Sequence, residues 1–276
     1  MNPHHAHPTS FVAMLRSATV NRQLIGQLIR RDVIGRYRGS VMGIAWSFLN
    51  PLLMLVIYTA VFSGIFKTRW PGVANDTMTA FAVILFVGLI VHGLFAECVT
   101  RAPGLVLANP NYVKKVIFPL EILPFVSLGS ALFHSLISLC VLLVAQLAVN
   151  GTLPWTVVLL PIVILPLVFT TLGIAWFLAA LGVFVRDISQ ITTLIVSIAM
   201  FLSPVFYPVS QLPARLQRWI YLNPLTYPIE DARGALIFGR TPSPTHLMVA
   251  MAGGIVVAQI GFWWFQRTRK GFADVI

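Results

Sequence analysis

Ionisable side chains set among long apolar runs are the first places to look for chemistry, because lipid tolerates them only beside a partner or a wet cavity. His92, Glu97 and Arg101 lie within or at the end of one such run, and His134 lies within another. Glu97 and Arg101 stand four residues apart, the spacing of an ion pair on one helix face, while His92 and His134 read as packing residues that each need a hydrogen-bond partner. An intramembrane transferase would gather polar groups at one depth, and nothing in the spacing of His92, Glu97 and His134 brings them together. Glu230, Asp231 and Arg233 form a second ionisable group, in a stretch broken by Pro204, Pro208, Pro213, Pro224 and Pro228. The chain has no G-x-x-x-x-G-K-S/T loop to cradle ATP phosphates, no H-E-x-x-H zinc motif and no G-x-S-x-G nucleophile turn. His4, His5 and His7 have no Cys or acidic neighbour nearby, which argues against a metal site there.

The elements that must position these groups are apolar. Of 276 residues 58% are hydrophobic and 10% charged, against about 25% charged in soluble domains. The apolar runs extend from residue 41 to residue 266 with short polar gaps, which predicts one membrane domain over 1–276: a cytoplasmic amphipathic interface region at 9–38 and a membrane-spanning region at 41–266. The net charge of +11 sits beside apolar spans, so the membrane surface and its lipids are the expected partner, and nucleic acid is not. No apolar segment near the start has the form of a cleavable signal peptide, which leaves insertion to the first span. Cys98 and Cys140 fall in different spans at different depths, so no disulfide is expected.

The fold class expected is therefore an all-α integral membrane protein with six transmembrane helices. The spans are read at 41–66, 79–100, 120–149, 155–185, 188–207 and 246–266, each near or above the ~20 residues that cross the hydrocarbon. Pro161 and Pro166 predict a kinked or tilted fourth span. Before the first span, Leu24, Ile25, Leu28, Ile29 and Val33 recur at helical spacing opposite Arg22, Gln23, Gln27, Arg30 and Arg31, the pattern of a basic helix lying in the interface. If the N-terminus is inside, thirteen Lys and Arg fall on the cytoplasmic side and six on the other, which predicts both termini in the cytoplasm. Short half-helices re-entering the outer leaflet before the last span would explain the broken segment from Tyr207 to Thr245.

Asn109 or Asn111 is suited to cap a short helix, Lys114 and Lys115 place positive charge beside the membrane, and Pro119 ends the piece before Glu121 opens the next helix. Those lysines serve topology equally well. Tyr58, Phe62 and Phe66 stand one turn apart on the first span, and Phe201, Phe206 and Tyr207 crowd the outer end of the fifth. Aromatic stripes of this kind serve packing, an interfacial belt or ligand stacking.

Four stretches carry a family resemblance: RYRGSVMGIAWSFLNPLLML at 36–55, NPNYVKKVIFPLEILP at 109–124, ALGVFVRDI at 180–188 and NPLTY at 223–227. Together they resemble the permease subunit of bacterial polysaccharide ABC exporters, which move O-antigen, capsular polysaccharide or teichoic acid. The resemblance implies a homodimer in the bacterial inner membrane, two copies of a separate ABC ATPase beneath it, and a lipid-linked polysaccharide as substrate, most naturally O-antigen. No cofactor is expected on this chain, ATP and magnesium belonging to the ATPase, and the chain itself is not expected to be an enzyme. By resemblance the ATPase-coupling residues are Arg30, Arg31, Arg36, Tyr37, Arg38, Asn109, Tyr112, Lys114, Lys115, Arg186 and Asp187. Tyr58, Phe62, Phe66, Phe201, Phe206 and Tyr207 would line the channel. Asn223, Tyr227, Glu230 and Arg233 would form an outer gate. An exporter of the same architecture for a small molecule, haem or lipid is the nearest alternative.

Overall fold

The structure, a computed structural model, describes residues 8–61, 70, 78–114 and 118–276. Among the described residues all regular structure is helical: α1 (Phe11–Val20), α2 (Arg22–Tyr37), α3 (Trp46–Tyr58), α4 (Met78–Arg101), α5 (Pro110–Lys114), α6 (Leu123–Asn150), α7 (Leu160–Phe184), α8 (Ile188–Leu202), α9 (Ala214–Ile220), α10 (Thr226–Leu236), α11 (Pro244–Thr268) and α12 (Phe272–Val275). With their flanking turns, five stretches among the described residues are long and apolar enough to cross a membrane: Gly43–Val61, Phe81–Gly104, Leu120–Ala148, Trp155–Phe184 and Pro244–Val275. The terminal histidines His4, His5 and His7 lie outside the described residues.

Local chemistry sets the boundaries. Ser10 caps α1 by accepting a hydrogen bond from the Ala13 N–H at 3.2 Å, a start signal for a helix the sequence reading left inside its broad interface region. The expected fourth span is one helix preceded by a 3-10 turn at Trp155–Leu159, so Pro161 begins α7 and does not kink it. Proline belongs at that position because its missing N–H has no partner there in any case. Pro166 does lie inside α7, where its carbonyl accepts the Thr170 hydroxyl at 3.0 Å.

The fifth expected span reaches only Leu202, a 15-residue helix. Ser203 is extended at φ −96°, ψ 154°, as the residue before a proline must be, so Pro204 stops α8 short of residue 207. Gly151, at φ 71°, ends α6 and returns its N–H to the Leu147 carbonyl at 2.9 Å, the usual left-handed helix stop.

The core is a helical bundle in which α7 packs along α11 and α4 on α6. Trp176 of α7 is wholly buried, with Phe125 and Phe262 edge-on to it, each at 5.1 Å. By contrast, α3 and α8 turn large apolar side chains outward, among them Phe48, Leu52 and Ile57 on the first and Leu194, Ile198 and Phe201 on the second. Cys98 is buried and Cys140 exposed, and both are free thiols.

Candidate functional site

The N-terminal helices lie against one end of this bundle. Leu28 and Val33 of α2 are buried, Arg30, Arg31 and Arg38 are exposed, and the Ile29 side chain occupies the space beside Gly129 of α6 that a Cβ would fill. This one-sided burial follows the helical spacing of the apolar residues. Asp32, which no local pattern singles out, accepts hydrogen bonds from both terminal nitrogens of Arg101 at 2.6 and 2.9 Å. Arg101 stays 3.9 Å from Glu97, so the expected i, i+4 pair is a minor contact: a planar guanidinium gains more from a two-pronged carboxylate than from one distant oxygen.

Burial pulls the Asp32 carboxyl upward, but the hydrogen bonds and charge of Arg101 outweigh it and hold the group below its ordinary value. A depressed carboxylate stabilises the fold fully above the unfolded value of about 3.9 and loses that contribution as pH falls through its folded value. We expect the thermal midpoint of the purified protein to drop below about pH 4. Asp32→Asn should lower the midpoint at neutral pH by a few degrees and shrink the acid-dependent part, both readable by a fluorescence melt.

A second junction centres on Glu121. Its carboxylate accepts the Ser17 hydroxyl of α1 at 3.2 Å and an Arg269 nitrogen at 2.6 Å, and its backbone carbonyl accepts the Trp176 indole N–H at 3.0 Å. Arg269 also donates to the Phe118 carbonyl at 2.8 Å. The stretch after α5 is thereby tied to α1, α7 and the end of α11, while α5 itself touches α12. Arg269 was readable only as one charge of the orientation count. Asn109 precedes α5, with its side chain turned back to the Leu105 carbonyl at 2.9 Å and its own carbonyl accepting the Tyr112 N–H at 3.0 Å. The Tyr112 ring stacks on Phe118 with centroids 4.0 Å apart. Lys115 lies outside the described residues, and of Lys114 the backbone alone lies within them. Arg186 and Asp187 are exposed in the turn between α7 and α8, where the Asp187 carbonyl accepts the Gln190 N–H at 3.1 Å.

Arg36 and Tyr37, at the end of α2, help enclose a cavity of about 400 Å³ between α2, α3, α4 and α6, also lined by Asn50, Tyr58, His92, Glu97, His134, Ser135 and Ser138. The Arg36 guanidinium donates to Glu97 Oε1 at 2.5 Å. His134 Nδ1 lies 2.9 Å from the same oxygen. His92 Nε2 lies 3.3 Å from the Val196 carbonyl of α8, which makes it the donor nitrogen. His92, Glu97 and His134 therefore do converge, contrary to expectation: α4 and α6 pack side by side, and residues 37 apart in sequence meet across them. Tyr58 belongs to this cavity, whereas Phe62 and Phe66 lie outside the described residues.

At the opposite end Arg233 is 1% exposed. It donates to the carbonyls of Ile84 at 3.3 Å and of Pro204 and Val205 at 2.5 Å each, and to Glu230 at 3.0 Å. Its guanidinium lies 4.6 Å from the centre of the Trp70 ring. Asn223 donates to the Ser203 hydroxyl at 2.9 Å, so the NPLTY motif holds the end of α8. Tyr227 packs with Tyr221 and His246 at 4.9 and 4.8 Å, and His246 faces Asp231 at 3.7 Å. Phe201 and Phe206 stack with centroids 5.6 Å apart, and Tyr207 donates to the Phe201 carbonyl at 3.1 Å. Tyr221 and His246 were missed because one lies in a loop and the other opens the last span.

The chain is 28% identical over 267 residues to the O-antigen export system permease protein RfbA of Myxococcus xanthus, covering 96% of this chain and 100% of that protein. It is 26% identical over 260 residues to the protein of the same name from Klebsiella pneumoniae, covering 92% and 95%. To the capsule polysaccharide export inner-membrane protein CtrC of Neisseria meningitidis it is 22% identical over 274 residues, covering 96% and 97%. The family model describing ABC-2 type transporters matches residues 23–237, from the first turn of α2 to the end of α10. With most of its length inside that match, the chain belongs to the ABC-2 type transporter membrane family.

Proposed function

We propose that this chain is the permease subunit of an ATP-driven exporter that carries a lipid-linked polysaccharide, of the O-antigen kind, from the cytoplasm across the bacterial inner membrane. The observation that carries the reading is the end-to-end similarity to O-antigen export permeases, at 28% identity over 96% of the chain. Residues 1–276 then act as one transmembrane domain. The short α8 with the residues after it is the fifth of six spans, α9 and α10 are half-helices re-entering the outer leaflet, and both termini are cytoplasmic. The distribution of Lys and Arg supports that orientation.

Two copies of the chain pair, with two copies of a separate ATPase below. Closure of the ATPases on ATP pushes on α5 and α2, where Arg30, Arg31, Arg38, Asn109, Tyr112, Lys114, Lys115, Arg186 and Asp187 are the proposed contacts. Arg36 and Tyr37 pass the motion to the bundle. The push travels inward because Glu121, Arg269 and Asp32 bind these pieces to α1, α4 and α11. Then α3 and α8 of the two copies part, and Tyr58, Phe62, Phe66, Phe201, Phe206 and Tyr207 offer ring faces along which sugars slide. Asn223, Tyr227, Glu230 and Arg233 belong to the outer gate.

Deleting the gene should remove the surface polysaccharide and accumulate its lipid-linked form inside, and the purified chain should bring down an ATPase whose hydrolysis it stimulates. An undiminished surface polysaccharide in the deletion strain would overturn the proposal.

A further inference from the structure

We propose that the cavity of about 400 Å³ below α3 is a binding subsite for a neutral, hydroxyl-rich group, one or two sugar rings of the polymer being moved. This rests on the export reading above and adds where, and by what chemistry, the glycan is held.

The walls come from three spans and the end of α2. Asn50 and Tyr58 project from α3, His92 and Glu97 from α4, and Ser135 and Ser138 from α6. Polar side chains on separate spans that point into one space, and not into lipid, mark a wet cavity or a ligand site. The volume sits at the lower end of the roughly 300–1,000 Å³ of small-molecule pockets.

Charge selects the ligand class. Among the described residues Glu97 is the only carboxylate in the lining, and it is already matched by Arg36 at 2.5 Å and His134 at 2.9 Å. An ammonium would find no spare anion, and a phosphate or carboxylate would meet a guanidinium that already has its counterion. What remains is neutral. The Asn50 amide offers two donors and an acceptor. The Ser138 hydroxyl donates to the His134 carbonyl at 3.0 Å and so presents only lone pairs. His92 spends its Nε2 proton on the Val196 carbonyl, leaving Nδ1 as an acceptor. Alternating donors and acceptors beside tyrosine rings suit sugar hydroxyls and the apolar face of a pyranose.

The test is protection of a cysteine by the cargo. Asn50→Cys, and separately Ser135→Cys, are placed in the full chain with Cys140→Ser, leaving Cys98, which is buried. The complex carries an ATPase blocked in hydrolysis so that cargo stalls. Inside-out vesicles come from cells that make the polysaccharide and from cells blocked in its synthesis, and the probe is the water-borne thiol reagent MTSET. The expected result is ready labelling without polysaccharide and labelling at least fivefold slower with it, at both positions. Equal rates in the two kinds of vesicle, or no labelling in either, overturns the subsite. The same strains separate the two claims. Restored export by the wild-type chain together with unprotected cysteines removes the subsite alone, whereas a wild-type chain that moves no polysaccharide removes the export reading beneath it. Asn50→Leu, scored against Asn50→Gln, keeps the claim falsifiable if the cysteine variants assemble poorly. The leucine variant should cut surface polysaccharide at least tenfold with the ATPase still bound, the glutamine variant should keep most of it, and equal export by both would overturn the subsite.

Discussion

Arg233→Met should leave almost no folded protein in the membrane. The guanidinium is 1% exposed and serves four acceptors at once: the Ile84 carbonyl on α4, the Pro204 and Val205 carbonyls after α8, and Glu230 one turn away on α10. Methionine fills similar volume, so the loss would not be one of packing. It would strand the Pro204 and Val205 carbonyls and the half-buried Glu230 carboxylate, and removing one member of a buried charged network costs about 3–5 kcal/mol. That is a large part of the 5–15 kcal/mol by which a domain is ordinarily stable. Arg233→Lys should fare little better, because an ammonium cannot span acceptors on three elements as the planar fork does. Size-exclusion profiles of a fluorescent fusion would read the result. A monodisperse, thermally normal Arg233→Met protein would show that the outer segment does not depend on this clamp.

This residue also shows how far local pattern reaches. Arg233 stood out in the sequence as an ionisable group among prolines, and the NPLTY motif stood out beside it. What they hold did not, because their partners lie 149 and 20 residues away. The apolar spans and the one-sided α2 were legible since period and composition are local properties. Where the reading failed, a distant partner or a proline rule had prevailed. Arg101 does stand 3.9 Å from Glu97 as helical spacing assigned it, but its two-pronged partner, Asp32, lies 69 residues earlier. Glu97 went to Arg36 and His134, which made a polar cavity out of residues that had looked unrelated. α8 ended early because Ser203 precedes Pro204 and must be extended.

The closest helix pair predicts the second large effect. Within lipid, helices associate by fitting small residues together, since apolar burial alone does not distinguish a neighbouring helix from a lipid tail. On α11, a Cβ built at Gly261 would land on the backbone of Gly173 in α7, and one at Gly254 would meet the Pro166 carbonyl. A Cβ at Gly173 would in turn strike the backbone at Val257. Neither backbone can yield without parting the helices along the seam that buries Trp176 against Phe262. Gly261→Val should therefore abolish the assembled protein, and Gly261→Ala should lower its yield and thermal midpoint severely. Gly253 supplies the control, because it stands beside Gly254 on the same helix with nothing within 4 Å of its absent Cβ. Replacing a helix-interior glycine by alanine gains roughly 0.5–1 kcal/mol where space permits, so Gly253→Ala should be neutral or slightly stabilising. The two alanine variants add the same methyl group to α11, one against the α7 backbone and one into open space. Equal behaviour in the same melt would mean that α7 and α11 do not meet through their glycines.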